Sequence, residues 1–247
     1  MNLIPYRGLL IRENNPADKV VLRQCADNYG SFRYTPRSRV LDFGVYVGGF
    51  ARMALEHDIE EYLGIEADAE NYMVAKQNLK ALKTPTLGKK IIHAAASVSL
   101  EETVTLYQTN TAQKYNCGTV AVDSGNLGHR PIHTIVKNVN IREVIADFRP
   151  THVKMDIEGA EIQWLKDIGG EIPAHIEEIA IELHRASHIH DLSKRGILRN
   201  ILEDFEIVHV DPMIAFEDRV KTKIDIPEFN LRQTGSLLAI DVFLRRK

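Results

Sequence analysis

Residues 153–165, VKMDIEGAEIQWL, set Lys154, Asp156, Glu158 and Glu161 among residues that read as core: Val153, Met155, Ile157, Ile162, Trp164 and Leu165. Buried charge is costly unless it is paired or put to use. Residues two apart on a strand share a face, so Lys154, Asp156 and Glu158 line up on one side if the strand persists to 158. Further along, IEEIAIELH (176–184) places Glu182 and His184 two apart at another strand end. Acids and a histidine at strand ends can hold a hydroxyl group and take its proton if the fold brings those ends together. His184 is the first candidate for that base, because an unperturbed imidazole titrates nearest neutrality. Asp156 and Glu158 come next, orienting the hydroxyl or contacting a ligand's amino group, and Lys154 balances the charge. Glu161 falls in the first turn of the following helix, where it is expected to meet the helix dipole or solvent.

A second set of residues reads as a cofactor cradle. RVLDFG (39–44) is a short buried strand that stops at a glycine, and the turn DFGVYVGG leads straight into a helical segment. Gly44 and Gly48 allow a tight turn and a close backbone approach. In an open parallel sheet, ligands sit beyond the carboxyl ends of the strands. The turn is not the dinucleotide fingerprint G-x-G-x-x-G: only Gly44 fits, and Tyr46 takes the second glycine's place. That argues against a nicotinamide-dependent oxidoreductase. Glu66 ends the next strand, 24 residues after Asp42, where an acid commonly accepts hydrogen bonds from ribose hydroxyls. A nucleoside cofactor without a pyrophosphate fits best, and S-adenosylmethionine is the common one.

VLDFGVYVGGF, YLGIEADAENY, IIHAAASVSLEETVTLY, THVKMDIEGAEIQWLK and IAIELH resemble, in order and spacing, the FkbM-type methyltransferase family over roughly residues 38–184. The resemblance implies an S-adenosylmethionine-dependent enzyme that methylates a hydroxyl oxygen of a sugar, glycan or other small molecule. It also implies that Asp42, Gly44 and Gly48 shape the methionine and ribose side of the cofactor. Glu66 would hold the ribose, and Ala96 and Ser97 would lie near the adenine. In that arrangement the two acid-bearing strands are neighbours, bringing Asp156, Glu158, Glu182 and His184 beside the transferred methyl. The chain departs from the family at Val45 and Tyr46, where Ala and Asn are usual. The Tyr46 phenol would stand at the cofactor's methionine end, where it can hydrogen-bond or narrow the pocket.

The elements that must position these residues alternate. A helix over 16–29 with Pro16 in its first turn ends at Gly30. Then come a strand (39–44), a helix (48–57), a strand (61–67), a helix (69–83) and a strand read as one piece over 89–97. Strands at 103–109 and 131–137 and a helix at 140–148 capped by Asn140 lead to the opening segment. A strand at 176–184, a helix over 193–205 containing Gly196, and strands at 205–212 and 236–246 complete the chain. Strand–helix alternation signals a parallel sheet with helical crossovers. With the resemblance, the expected fold is a doubly wound α/β domain. Its mostly parallel, seven-stranded Rossmann-like methyltransferase sheet has an antiparallel last strand and an extra strand and loop insertion. It forms a single domain over 1–247: an N-terminal helical cover (1–35), a cofactor and catalytic core (38–184), and a final helix and strands (185–247). The polar stretch 108–131 and the segment 213–235 are the candidate acceptor-selecting loops.

Composition narrows the partners. Hydrophobic content of 44% and charged content of 26% in 247 residues suit a soluble globular domain. A net charge of −3 gives no general attraction to phosphate backbones, which sets nucleic acid aside. Cys25 and Cys117 have no paired spacing and read as reduced thiols. Without a signal-like start or the ~20 apolar residues of a membrane span, a cytoplasmic location and no membrane partner are expected. Self-association is left open. HRASHIH (184–190) and GHRPIH (128–133) offer histidines, but His184 ends a strand and so does not share a helix face with His188. A divalent metal is therefore conceivable and not favoured, and no ligand is assigned. A cofactor-binding scaffold that has lost transfer is the alternative to an enzyme.

Overall fold

A computed structural model of the chain describes residues 1–86, 88–108, 118–119, 132–215, 223–234 and 236–247. It opens with a hairpin, β1 (Leu3–Tyr6) and β2 (Leu9–Arg12), followed by α1 (Pro16–Tyr29). The alternating part comprises β3 (Arg39–Phe43), α2 (Gly49–Leu55), β4 (Glu61–Glu66), α3 (Ala69–Ala81) and β5 (Gly88–His93). An insertion follows: β6 (Ala95–Ser97), β7 (Thr103–Gln108), β8 (Gly118–Thr119) and β9 (Ile132–Asn140). The chain returns through α4 (Ile141–Phe148), β10 (His152–Met155), α5 (Ala160–Asp167) and β11 (Glu178–His184). It closes with α6 (Ala186–Lys194), α7 (Ile197–Asp204), β12 (Phe205–Ala215), β13 (Lys223–Ile226), β14 (Leu231–Thr234) and β15 (Ser236–Arg246).

The central sheet is seven-stranded in the order β12-β15-β11-β10-β3-β4-β5. Its ladders are parallel from β11 through β5, while β15 runs antiparallel to both β11 and β12. This is the doubly wound, Rossmann-like α/β fold. The chain runs outward from β3 to β5, then returns to β10 on the other side of β3, so strand order reverses between β3 and β10. Ligand crevices form beyond the strand ends at such a switch point.

Local chemistry explains the helix starts. Asn15, Asp68 and Asn140 each accept a first-turn backbone N–H of α1, α3 and α4, and Pro16 occupies the first turn of α1. Strand β10 is buried at every residue, as a parallel strand covered on both faces must be. Alternation then splits the core. Leu41, Phe43, Val153, Met155, Ile179 and Ile181 pack on the face covered by α4 to α7. Val40, Tyr62, Ala180 and Phe243 pack on the opposite face with Tyr29 of α1 and Phe50 of α2. Asp42, Lys154 and Glu182 share the parity of that second face.

Several expected elements differ. The run 89–97 is two strands: β5 ends where Glu66 pairs with His93, and β6 pairs in parallel with Ala95 opposite Asn138 in a separate four-stranded sheet. The N-terminal cover begins as a hairpin before it becomes helical. The expected helix 193–205 breaks at Gly196, which takes φ +74° between α6 and α7. Strand β10 stops at Met155 and does not carry on to Glu158, whose own φ is +56°. The segment 213–235 contains the β13–β14 hairpin. Most of 108–131, including most of GHRPIH, lies outside the described residues. No helix among the described residues is long and apolar enough to cross a membrane.

Candidate functional site

The turn after β3 is built on glycine. Gly44 has φ +85°, and a Cβ there would stand 1.9 Å from the carbonyl oxygen of Asp156. Only glycine lets the ends of β3 and β10 approach so closely. The turn is closed by Gly48 N–H donating to Val45 O at 3.0 Å, and Gly48 at φ +94° leads into α2. A cleft of about 140 Å³ opens beside it, lined by Gly44, Tyr46, Glu66, the alanines 94 to 96, Lys154, Asp156 and Glu158 among others.

Glu66, at the end of β4, is buried in the wall of this cleft. Its Oε2 accepts from Tyr46 N–H at 2.8 Å, and its Oε1 accepts from Asp68 N–H at 2.9 Å and Asn71 Nδ2 at 3.4 Å. Burial pushes its pKa up to about 7 against these hydrogen bonds. A carboxylate has about four accepting positions, so Oε2 keeps capacity toward the cleft. Ala96 lines the same wall.

Three of the other expected cofactor residues sit differently. Asp42 is fully buried beneath the turn and is not among the residues lining the cleft. It accepts from the Tyr62 hydroxyl at 2.6 Å and lies 3.6 Å from Lys154 Nζ, and burial raises its pKa to about 6. It was expected to shape the cofactor's side; it instead fixes the floor through Lys154, because β3 is still mid-ladder at that residue. Ser97 is not among the residues lining the cleft and donates to Asn138 Oδ1 at 2.8 Å, tying β6 to β9. Tyr46 borders the cleft, but its hydroxyl donates to Asp18 Oδ1 of α1 at 2.9 Å. Asp18 is itself clamped by Arg12, at 2.6 Å and 3.1 Å. The departure at Tyr46 thus ties the glycine turn to the N-terminal cover.

The strand-end acids do converge. Lys154 is buried, donates to Gly44 O and Phe43 O, and lies 3.5 Å from Asp156. Burial works against its charge, but Asp156 and Asp42 more than offset this and hold its pKa above the ordinary lysine value. His184 Nε2 lies 3.4 Å from Glu158 and 3.3 Å from Glu182, and Asp156, Glu158 and His184 share one small volume. Registers show why. Asp211, Asp241 and Glu182 stand directly opposite one another on β12, β15 and β11, and Asp156 continues the row one residue beyond the Met155–Ile181 pair. Burial, then Asp156, raises the pKa of Glu182; burial, then Glu182 and Asp156, carries Asp241 up to about 8.

Two members were not foreseen in these roles. Glu161 is fully buried, not solvated, and its Oε1 accepts hydrogen bonds from His184 Nδ1–H at 2.9 Å and from the His184 backbone N–H at 3.2 Å. Burial alone would lower the His184 pKa, but Glu161 and Glu158 reverse the direction and raise it well above the ordinary value. That direction favours the protonated imidazole, a donor, over the neutral form expected of a base. Asp241 is a lone acid inside the apolar strand SLLAIDVFLRR, a legible signal that went unread. As expected, His184 and His188 do not share a helix, since α6 begins only at Ala186.

No protein-family model matches the chain, and no curated protein matches its sequence. Solved structures with a similar layout include a dimethyladenosine transferase from Plasmodium falciparum, at 9% identity over 95% of this chain and 62% of that one, TM-score 0.47. A precorrin-6y C5,15-methyltransferase from Geobacter metallireducens matches at 9% identity over 99% and 97%, TM-score 0.46. TYW2 from M. jannaschii in complex with AdoMet matches at 12% identity over 99% and 86%, TM-score 0.45. These are distant likenesses. The fold assignment rests on the strand order, and the FkbM-type resemblance on its five segments.

Proposed function

We propose that the protein is an S-adenosylmethionine-dependent methyltransferase of FkbM type acting on a hydroxyl of a sugar, glycan or other small molecule. The observation that carries this reading is the cleft at the switch point, where a left-handed glycine turn meets the buried Glu66 carboxylate at adjacent strand ends. The residues present fit such a cofactor. Gly44 leaves the turn without a side chain, Glu66 retains accepting capacity for ribose hydroxyls, and Ala94 to Ala96 form a smooth wall suited to a flat base. Tyr46, with its hydroxyl engaged by Asp18, borders the site from the N-terminal side.

Bound S-adenosylmethionine supplies an electrophilic methyl whose departure leaves a neutral thioether. The chain must position the acceptor oxygen and receive its proton as the new O–C bond forms. Asp156 and Glu158 line the cleft and are partly exposed, with side chains 29% and 33% accessible, so an acceptor can reach them. One of them takes the proton, a role generally worth about 10²–10⁴-fold. His184 contacts Glu158 and Glu182 and so positions these carboxylates, and Lys154 supports Asp156 from below. The net charge of −3 favours a small acceptor over a nucleic acid.

The test is transfer of a radiolabelled methyl from S-adenosylmethionine to a panel of sugars, glycans and phenols. Hydroxyl-linked label that disappears in Asp156→Asn or Glu158→Gln is expected. Cofactor binding without transfer to any hydroxyl would refute the enzyme and leave a cofactor-binding scaffold.

A further inference from the structure

We infer that Asp156, Glu158 and His184 form a divalent-cation site at the acceptor end of the cleft. One ligand atom from each lies within 4.8 Å of the others. They arrive from separate places: Asp156 from the end of β10, Glu158 from the turn that follows, and His184 from the end of β11.

An imidazole separates this cluster from an ordinary acidic patch. Its Nδ1 is committed to the fully buried Glu161, whose other oxygen accepts from Gly159 N–H at 2.8 Å. Nε2 is therefore the nitrogen presented to Glu158, with Glu182 at 3.3 Å as a further oxygen donor, and it would give up its proton to solvent on ligating the ion. A histidine held on its far nitrogen by a carboxylate is how metal-ligating imidazoles are commonly oriented. Glu182 also stands directly opposite Asp241 on β15, where ionising both carboxyls brings like charges face to face and destabilises the sheet. A cation in front of them offsets that repulsion, adding to the charge of Lys154, which is already shared among Asp42, Asp156 and two backbone carbonyls. Carboxylates with a single imidazole suit Mn²⁺ or Mg²⁺ better than metals that prefer thiolate. There the ion would hold an acceptor with adjacent hydroxyls and favour loss of a proton from one of them. That last role rests on the methyltransferase reading; binding of the ion does not.

The test uses metal-free full-length protein titrated with Mn²⁺, with free ion followed by electron paramagnetic resonance. One ion per chain is expected, displaced by Mg²⁺, with affinity lowered about tenfold or more in Glu158→Gln and in Glu161→Gln. Circular dichroism confirms that each variant is folded, and Asp156→Asn replaces the Glu161 variant if that one is not. Absence of saturable binding at millimolar Mn²⁺, or binding equal in wild type and variants, overturns the site. S-adenosylmethionine titrated into the same metal-free protein reads the cofactor cleft separately, so either claim can fail alone.

Discussion

Replacing Gly44 with alanine probes the junction on which the whole site depends. Two costs follow from the geometry. At φ +85° an L-residue pays the left-handed penalty, about 1–2 kcal/mol. Its Cβ would also lie 1.9 Å from Asp156 O, where real contacts stay beyond 3.0 Å, so that carbonyl must retreat by about 1 Å. Forcing such a shift in a packed interior costs a further ~1–3 kcal/mol, because it pulls on the Asp156 N–H bond to Phe43 O and on the Lys154 bond to Gly44 O. The sum is a loss of about 2–5 kcal/mol. Gly169→Ala is the internal control: its φ is +62°, and a Cβ there meets nothing within 4 Å, so it should show the conformational cost alone. Urea unfolding of both variants measures the difference directly. If Gly44→Ala were no more destabilised than Gly169→Ala, the close approach of β3 to β10 would be wrong.

Other expectations are independent of that junction. Tyr46→Phe removes the hydrogen bond to Asp18, at a cost of about 1 kcal/mol, and should lower Tm by about 2–4 °C; an unchanged melting curve would show that the phenol does not hold the turn. Asp18→Asn removes the buried partner of Arg12 and leaves it only the exposed Glu70 at 3.7 Å, and a loss of about 3 kcal/mol by denaturant titration is expected. In metal-free buffer, Glu161→Gln should bring the His184 pKa down toward its ordinary value, seen by NMR as an imidazole titration entering the neutral range; no movement would separate Glu161 from the raised pKa. Stability should fall as pH rises from about 6.5 to 8. Glu66 and Asp241 have native pKa values of about 7 and 8, above their unfolded ones, so the native state holds more protons across that window. His184, also raised, contributes stability below its unfolded value that is lost as pH climbs through the native one. His152, lowered by burial, acts in the opposite sense only below about 6.5. Glu66→Gln should flatten this slope, and stability that rose steadily to pH 8 would contradict the burial of these acids.

The central strands were readable because their signals are local. RVLDF, EYLGIE and EIAIELH are short apolar runs bounded by turns, and Pro16, Asn15 and Asn140 mark helix starts by their own chemistry. What escaped was decided by partners far along the chain. Nothing between Ile92 and Ser97 announces a break, yet β5 has no neighbour beyond it in the central sheet while β6 finds β9, more than forty residues away in sequence. Glu161 looks like a first-turn acid and is one, but burial against the end of β11 makes it the anchor of His184. The acidic row emerges only when β12 and β15 are placed beside β11, since register turns scattered carboxylates into neighbours. Asp42 misled because a strand-end acid and one a single residue inside the ladder look alike in sequence.

Calorimetric titration of the wild-type protein and Glu66→Ala with S-adenosylmethionine and S-adenosylhomocysteine tests the central claim most directly. Saturable binding of both ligands by the wild type is predicted, strengthening from pH 6 to 8 as Glu66 loses its proton and weakening sharply in the variant. Absence of binding of either ligand, or equal binding by the folded variant, would contradict the cofactor cleft.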